Sequence, residues 1–300
     1  MSAPSEPRIF QAQNTSDARH KVAAQARLYS DAKRLWSMRL SVIFQLAAAS
    51  SIAALLAATA PRNVFGVGGG VLLLVLSVVG GDVEKRKRQQ AAAVQESFDV
   101  EVFQLPWNEI ELKRPSPTLI SQAAARYDGG RDADWYSDTK DTHRPFDVLI
   151  CQSSNLGWGA STHLAWAWAL TAMLTVGLAL LLIAAKLDGL SFSDAAVAIG
   201  VPTLAPLKEI LEQIKAHLET SRDKEDAQAK ISAAWSDGMN GKAVPDEALL
   251  RLVQNKMLAL RQRPHYVPDW FDNRLRDRNE AAMHTTAEDM LAQAARAGHG

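Results

Sequence analysis

Few residues in this sequence could carry covalent or metal chemistry, and their spacing does not suit it. Cys151 is the single cysteine, which excludes an intramolecular disulfide and a cysteine-based zinc site. Its expected state is a small packed side chain, since burial is the usual fate of free cysteine. Seven histidines, at positions 20, 143, 163, 217, 265, 284 and 299, share no ligand spacing and are expected at the surface or at interfaces. The patterns GxxxxGKS/T, GxGxxG, HExxH and GxSxG are absent. Gly68-Gly69-Gly70 falls inside an apolar run and cannot cradle a phosphate there. No catalytic residue, metal or cofactor is expected, and an enzyme is disfavoured.

Charge is balanced overall but unevenly distributed. Lys plus Arg (33) equals Asp plus Glu (33), so no net field marks a nucleic-acid surface, and direct DNA or RNA binding is not expected. Residues 41–60 and 164–185 contain no Asp, Glu, Lys or Arg, leaving the rest of the chain charge-dense. Four stretches read as membrane spans, since roughly twenty helical residues cross about 30 Å of hydrocarbon. Ser41 to Ala60 is followed by a turn at Pro61-Arg62-Asn63, and Val64 to Gly80 returns. Leu164 to Ala185 is the most apolar, with Trp166 and Trp168 near its start suiting an interfacial aromatic belt. A turn at Lys186-Leu187-Asp188-Gly189 leads to Leu190 to Leu207, the weakest span, which carries Asp194, Pro202 and Pro206. The competing reading, helical hairpins in an ordinary globular core, fits the paired layout and span lengths less well.

Within these spans, Gly66 and Gly70 form a small-xxx-small pair that permits close helix approach. Gln45 and Asp194 are the polar candidates for a pore wall. A carboxylate in a membrane helix faces water or a partner, so Asp194 has two readings: the outer headgroup region or a ring at an outer pore mouth. The prolines are open to a hinge or to the end of the span.

Lys33, Arg34 and Arg39 precede the first span, Lys85 to Arg88 follow the second, and Lys208 and Lys215 follow the fourth. The two turns hold only Arg62 and Lys186, so both termini and the middle segment are predicted on the cytoplasmic side. The first forty residues are polar and do not read as a signal peptide. The expected fold is mainly α: two transmembrane helical hairpins with cytoplasmic helical segments and a small mixed central module. The predicted parts are an amphipathic N-terminal helix (1–39), hairpin 1 (40–81), the central module (82–163), hairpin 2 (164–207) and a helical C-terminal region (208–300).

In the central module, alternation in Phe98-Asp99-Val100-Glu101-Val102-Phe103 predicts a strand. Phe146 to Ile150 is open to a second strand or to a helix entering the third span. Thr118 to Tyr127 reads as a short helix. Leu204, Leu207, Leu211, Ile214 and Leu218 form a heptad-like seam, open to packing within the chain or to bundling helices below a pore. Glu247 to Arg263 reads as an amphipathic helix, Pro264 to Phe271 as an aromatic loop, and the tail from Asn273 as a helix fraying to Gly300.

Several short motifs occur in order: QARLYSDAK (25–33), Phe98-Asp99, LPWN (105–108), DWY (134–136) and CQSSN (151–155) followed by Trp158. With the two-plus-two layout, they resemble the bacterial S-4TM family of pore-forming effectors. The chain departs where the family typically has a basic residue after Cys-Gln and an acidic residue after the tryptophan; Ser153 and Gly159 stand there. The resemblance implies anti-phage defence at the inner membrane. A partner nucleotidyltransferase would make a cyclic nucleotide, and a homo-oligomer of the effector would open and breach the bilayer. Trp107, Asn108, Trp135, Tyr136, Gln152 and Asn155 are then the candidate sensing residues, since aromatics stack on bases and amides bond base edges. Two other classes stay open: a membrane-anchored scaffold or signalling protein without a pore, and a small transporter.

Overall fold

The structure, a computed structural model, describes residues 8–57, 61, 63–79, 81–157, 159–187, 189–263 and 266–300. Every regular element among them is helical. The short α1 (Ile9–Gln13) is followed by α2 (Ser16–Leu56), in which the N-terminal amphipathic stretch runs directly into the first apolar run. A π-helical turn (Val64–Gly68) leads into α3 (Gly69–Val79), and α4 (Asp82–Val102) follows. Next come α5 (Pro117–Ala124), α6 (Phe146–Gly157) and α7 (Ala160–Leu187). The remaining elements are α8 (Phe192–Ala195), a π-helical turn (Ala196–Gly200), α9 (Val201–Met239), α10 (Glu247–Arg261) and α11 (Asp269–Arg296). Arg62, Trp158, Asp188, Pro264 and His265, which figure in the predicted turns, motif and loop, lie outside the described residues.

Three helical runs are long and apolar enough to cross a membrane: Ser16–Leu56, Val64–Val102 and Phe146–Leu187. The fourth predicted stretch is distributed over α8, the second π-helical turn and the start of α9. Its prolines each remove a backbone donor. Beside them, the Thr203 hydroxyl donates to the carbonyls of Ile199 and Gly200, both at 2.9 Å.

The mixed central module is overturned: the strand predicted at 98–103 is helical through Val102, and Phe146 to Ile150, open to strand or helix, is helix. The alternation at 98–103 misleads because Asp99, read as solvent-facing, is fully buried. Phe98, Asp99 and Val102 recur at helical spacing on the inner side of α4. The tail is not frayed either. The His143 N–H donates to the His299 carbonyl at 2.8 Å, and the His299 ring lies 4.4 Å from that of Phe146.

The chain divides into two compact units. A polar unit comprises residues 1–31, 87–163 and 219–300, and an apolar unit comprises 32–86 and 164–218. The boundaries fall inside α2, α4, α7 and α9, so each of these helices supplies residues to both.

The apolar unit has a small core of Ile43, Ala47, Leu73 and Ala205. Many other apolar side chains, Ile52, Val71, Val176, Leu182 and Ile183 among them, lie more than half exposed. A surface of this kind suits hydrocarbon rather than water. Gly66 and Gly70 lie against the backbone of Val197 and Val201. The small-xxx-small face is therefore occupied within one chain. Arg39 on α2 forms a two-pronged pair with Glu209 on α9, both hydrogen bonds being 2.8 Å, and also donates to the Ser77 carbonyl of α3 at 3.2 Å. Glu209 is almost fully buried.

α9 shows an inversion in this unit. Its buried side includes Glu209, Gln213 and His217, while Leu204 and Leu211 of the predicted seam face outward at 46% and 50% exposure. His163 and His217 are buried, against the surface expectation. Burial pushes the His217 imidazole down to about 4 from 6.5. The unfolded chain therefore binds the proton first as pH falls. Stability contributed by neutral His217 is present above pH 6.5 and is lost progressively towards pH 4, a loss of roughly 3 kcal/mol. Denaturation midpoints followed between pH 7.5 and 4 are expected to fall less steeply in His217→Gln than in the wild type. Parallel profiles would remove this assignment.

The polar unit holds the main core, built around Phe98, Phe103, Phe146, Leu149, Ile150, Ile231 and Met257. A second cluster joins Ala24 and Leu28 of α2 to Ala91 and Val94 of α4 and Ala123 of α5. α5 starts where the sequence signals it. Ser116 caps the Leu119 N–H at 3.2 Å and Pro117 occupies the first helical position. Asp246 caps α10 in the same way, accepting from the Leu249 N–H at 2.8 Å.

Candidate functional site

Helical spacing places Gln95, Glu96 and Asp99 of α4 towards α10, whose Arg251, Gln254 and Arg261 point back at them. Glu96 and Asp99 are both about fully buried, so each must be neutralised and hydrogen-bonded. Arg251 donates to Glu96 Oε1 at 2.5 Å, and Arg261 donates to Asp99 Oδ2 at 2.6 Å. Gln254 divides its amide N–H groups between Glu96 Oε2 (2.8 Å) and Asp99 Oδ2 (2.9 Å). The Tyr136 hydroxyl donates to Asp99 Oδ1 at 2.7 Å. Two carboxylates thus face two guanidiniums, with a glutamine and a tyrosine filling the remaining geometry.

Every motif that carries the family resemblance ends on this network. From QARLYSDAK, the Tyr29 hydroxyl donates to Gln95 Oε1 at 3.0 Å. Phe98-Asp99 supplies the carboxylate. From LPWN, the Pro106 carbonyl accepts from Arg251 at 2.9 Å, and Asn108 Nδ2 donates to Asn255 Oδ1 at 3.3 Å. DWY supplies Tyr136, which stacks on Phe98 (6.2 Å) and leans on Phe103 (5.0 Å). Gln13 fixes the Tyr136 backbone, donating to its carbonyl at 2.9 Å and accepting from its N–H at 2.7 Å. From CQSSN, Gln152 donates to the Leu250 carbonyl at 2.9 Å.

The candidate sensing residues therefore separate. Tyr136 and Gln152 are internal parts of the network and closed to solvent. Trp107 is half-buried; its indole N–H donates to the Leu112 carbonyl at 2.9 Å, and the Arg114 guanidinium lies 5.1 Å from its ring. Asn108 folds its own loop by accepting from the N–H groups of Ile110 and Glu111. Trp135 is partly exposed and meets the edge of Phe98 at 6.4 Å. Asn155 is half-buried. Of the pore candidates, Gln45 is exposed on α2. Asp194 meets the cap of α8: Ser191 Oγ accepts from the Asp194 N–H at 3.1 Å and donates to its carboxylate at 2.8 Å.

The electrostatics favour a structural lock over reactivity. Burial pushes the Glu96 carboxyl up, against the pull of Arg261. Burial also pushes the Tyr136 hydroxyl and the Cys151 thiol well above their ordinary values. Cys151 stays protonated and is a poor nucleophile. Burial opposes the charge of Arg261, yet Asp99 and the other neighbours outweigh it and hold the group above its ordinary value. Among the described residues, no group of three or more His, Cys, Asp or Glu side chains is placed to hold a metal.

Glu96, Arg251, Gln254 and Arg261 escaped the sequence reading, because charged residues on amphipathic helices default to the solvent face. The usable signal was their register: Arg251, Gln254 and Arg261 adjoin the apolar Leu250, Val253 and Leu260 of α10.

An all-helical chain with three potential spans and a polar helical unit locked by internal charge pairs defines a class of membrane protein. Residues 7–290 match the SMODS-associating 4TM effector domain, and the chain belongs to that family. A curated protein of Bacillus cereus strain VD146, described as a probable CBASS effector molecule, is 30% identical over 71 residues, which is 23% of this chain and 24% of that protein. The chain thus matches about a quarter of that relative's length. No solved structure matches.

Proposed function

We propose that this chain is a CBASS-type effector of the inner membrane, which assembles as a homo-oligomer and opens a pore when its polar unit senses a cyclic oligonucleotide made by a partner nucleotidyltransferase. The observation that carries the reading is that four helices each contribute to both the membrane-suited unit and the charge-locked polar unit. A ligand that binds two states of the polar unit with different affinity shifts the population of both. Family membership and the description of the Bacillus cereus relative support the defence role. The positive-inside rule supports two hairpins, with residues 190–207 as the fourth crossing and both termini cytoplasmic. Gln45 is the polar group available to a pore wall, and Asp194 serves the outer turn.

The outward Leu211 of α9, beyond the proposed fourth crossing, supports assembly between copies. Lys208 and Glu212 pair at 3.0 Å beside Leu211, a polar setting that argues against hydrocarbon as the cover of that stretch. Leu211→Glu, at a half-exposed position, is expected to shift the detergent-solubilised protein to smaller assemblies by light scattering, without lowering its unfolding temperature.

The reading is tested with dye-loaded liposomes carrying the full chain. Leakage on addition of one of a set of cyclic di- and trinucleotides supports it. Binding without leakage or conductance would return the protein to the scaffold class.

A further inference from the structure

Three bonds fix the segment that joins α10 to the first turns of α11. Before it, the Gln262 carbonyl accepts from Arg88 Nε at 2.8 Å, and Arg263 pairs with Asp223 at 2.5 Å. After it, Asn279 Nδ2 donates to Thr162 Oγ1 at 2.7 Å. Arg88, Thr162 and Asp223 lie within a few residues of the points where α4, α7 and α9 leave the polar unit, at residues 87, 163 and 219. Each of these points leads along the chain to an apolar stretch. The segment therefore lies at the end of the polar unit from which the proposed spans depart.

α11 extends the same direction. At its far end the His299 carbonyl accepts from the His143 N–H, so the helix runs antiparallel to α6 and the start of α7. Trp270 precedes Asn279 by nine residues, roughly 13 Å of helix past the Thr162 bond, on the way that α7 takes to its apolar stretch. Trp270 is 65% exposed, and its ring meets Phe271 edge-on at 5.6 Å. Arg274 and Arg278 follow at four-residue spacing and are exposed on the same face, with the exposed Asp277 beside them.

We propose that the start of α11 is a membrane-interface anchor: Trp270, backed by Phe271, rests in the headgroup layer of the cytoplasmic leaflet, and Arg274 and Arg278 meet lipid phosphates there. An indole has an apolar body and a wet N–H, which is why tryptophan collects at this layer. Guanidiniums bind phosphate oxygens in pairs. The cover of this face is the bilayer and not a soluble protein, because the bonds that fix the segment all end where helices turn to their apolar stretches. The anchor rests on the proposed spans and orientation and is independent of any nucleotide. It gives the C-terminal helices a hold on the membrane in addition to the spans.

The test attaches a nitrobenzoxadiazole fluorophore to Trp270→Cys, and separately to Arg274→Cys one turn on, in the full chain in nanodiscs of phosphatidylcholine and phosphatidylglycerol. Cys151 is buried and stays unlabelled. Emission from both sites is expected to be lost to a nitroxide carried on the lipid headgroup and largely kept against aqueous iodide. Val244→Cys, between α9 and α10 and 63% exposed, is expected to show the reverse. Leu182→Cys, in the third apolar stretch, is expected to lose emission to a nitroxide on the acyl chain. If the labels at 270 and 274 behave like the one at 244 while that at 182 responds to the acyl chain, the anchor is overturned and the spans stand. If the label at 182 also responds to iodide alone, the membrane reading falls with the anchor.

Discussion

Arg261→Met is expected to destabilise the polar unit by about 3–5 kcal/mol, the range for removing one partner of a buried ion pair. The side chain is nearly buried and lies 2.6 Å from Asp99, which has no solvent to fall back on. Methionine matches the aliphatic stem of arginine, so most of the loss is electrostatic and not a cavity. The double variant Arg261→Met, Asp99→Asn is expected to regain much of the loss. Asparagine carries no charge, and its carbonyl still accepts from Tyr136 or Gln254. Thermal unfolding in detergent, followed by far-ultraviolet circular dichroism, reads both. A wild-type transition for Arg261→Met alone would mean that Asp99 is neutral or hydrated in solution, and the lock would have to be abandoned.

The second large effect is expected at the glycines of the apolar unit. A Cβ built on Gly66 collides with the carbonyl oxygen of Val197. One built on Gly70 comes within 2.5 Å of Val201 Cγ1 and 2.9 Å of the Val201 carbonyl oxygen. The obstruction is largely backbone and cannot rotate away, so a side chain forces the helices apart. Gly66→Leu with Gly70→Leu is expected at or above the upper end for overpacked cores, about 3 kcal/mol. Gly68→Leu is the internal control: a Cβ there meets nothing within 4 Å, and helix propensity favours leucine over glycine by ~1 kcal/mol. If all three substitutions behave alike in a detergent unfolding series, the close approach at Val197 and Val201 is not a stabilising contact.

Much of this fold was legible because apolar runs and helical periodicity are local. The first three apolar stretches, the amphipathic helix read over 247–263 and the short helix read over 118–127 follow from local spacing, and form as Glu247–Arg261 and Pro117–Ala124 in the last two cases. Two of the errors share one cause, buried polar groups read as solvent-facing. Asp99 made a helix look like an alternating strand, and His217 was taken for a surface group. The partners that settle these cases lie far along the chain, 162 residues for Asp99 and Arg261, where no local pattern reaches. The candidate site was legible in part. The motif residues Tyr136 and Gln152 were identified, but as ligand contacts, whereas their hydrogen bonds turn inward.

The Arg39–Glu209 pair constrains how the apolar unit can loosen. With one guanidinium gripping α9 and the end of α3 at once, these helices cannot part by small sliding. Water has to enter and hydrate both ions before any gap widens. Dissolved salt screens hydrated ions and leaves dry ones almost untouched. Raising the ionic strength is therefore expected to lower the free energy of the arrangement with these two ions parted and hydrated, and to leave the closed pair nearly unchanged.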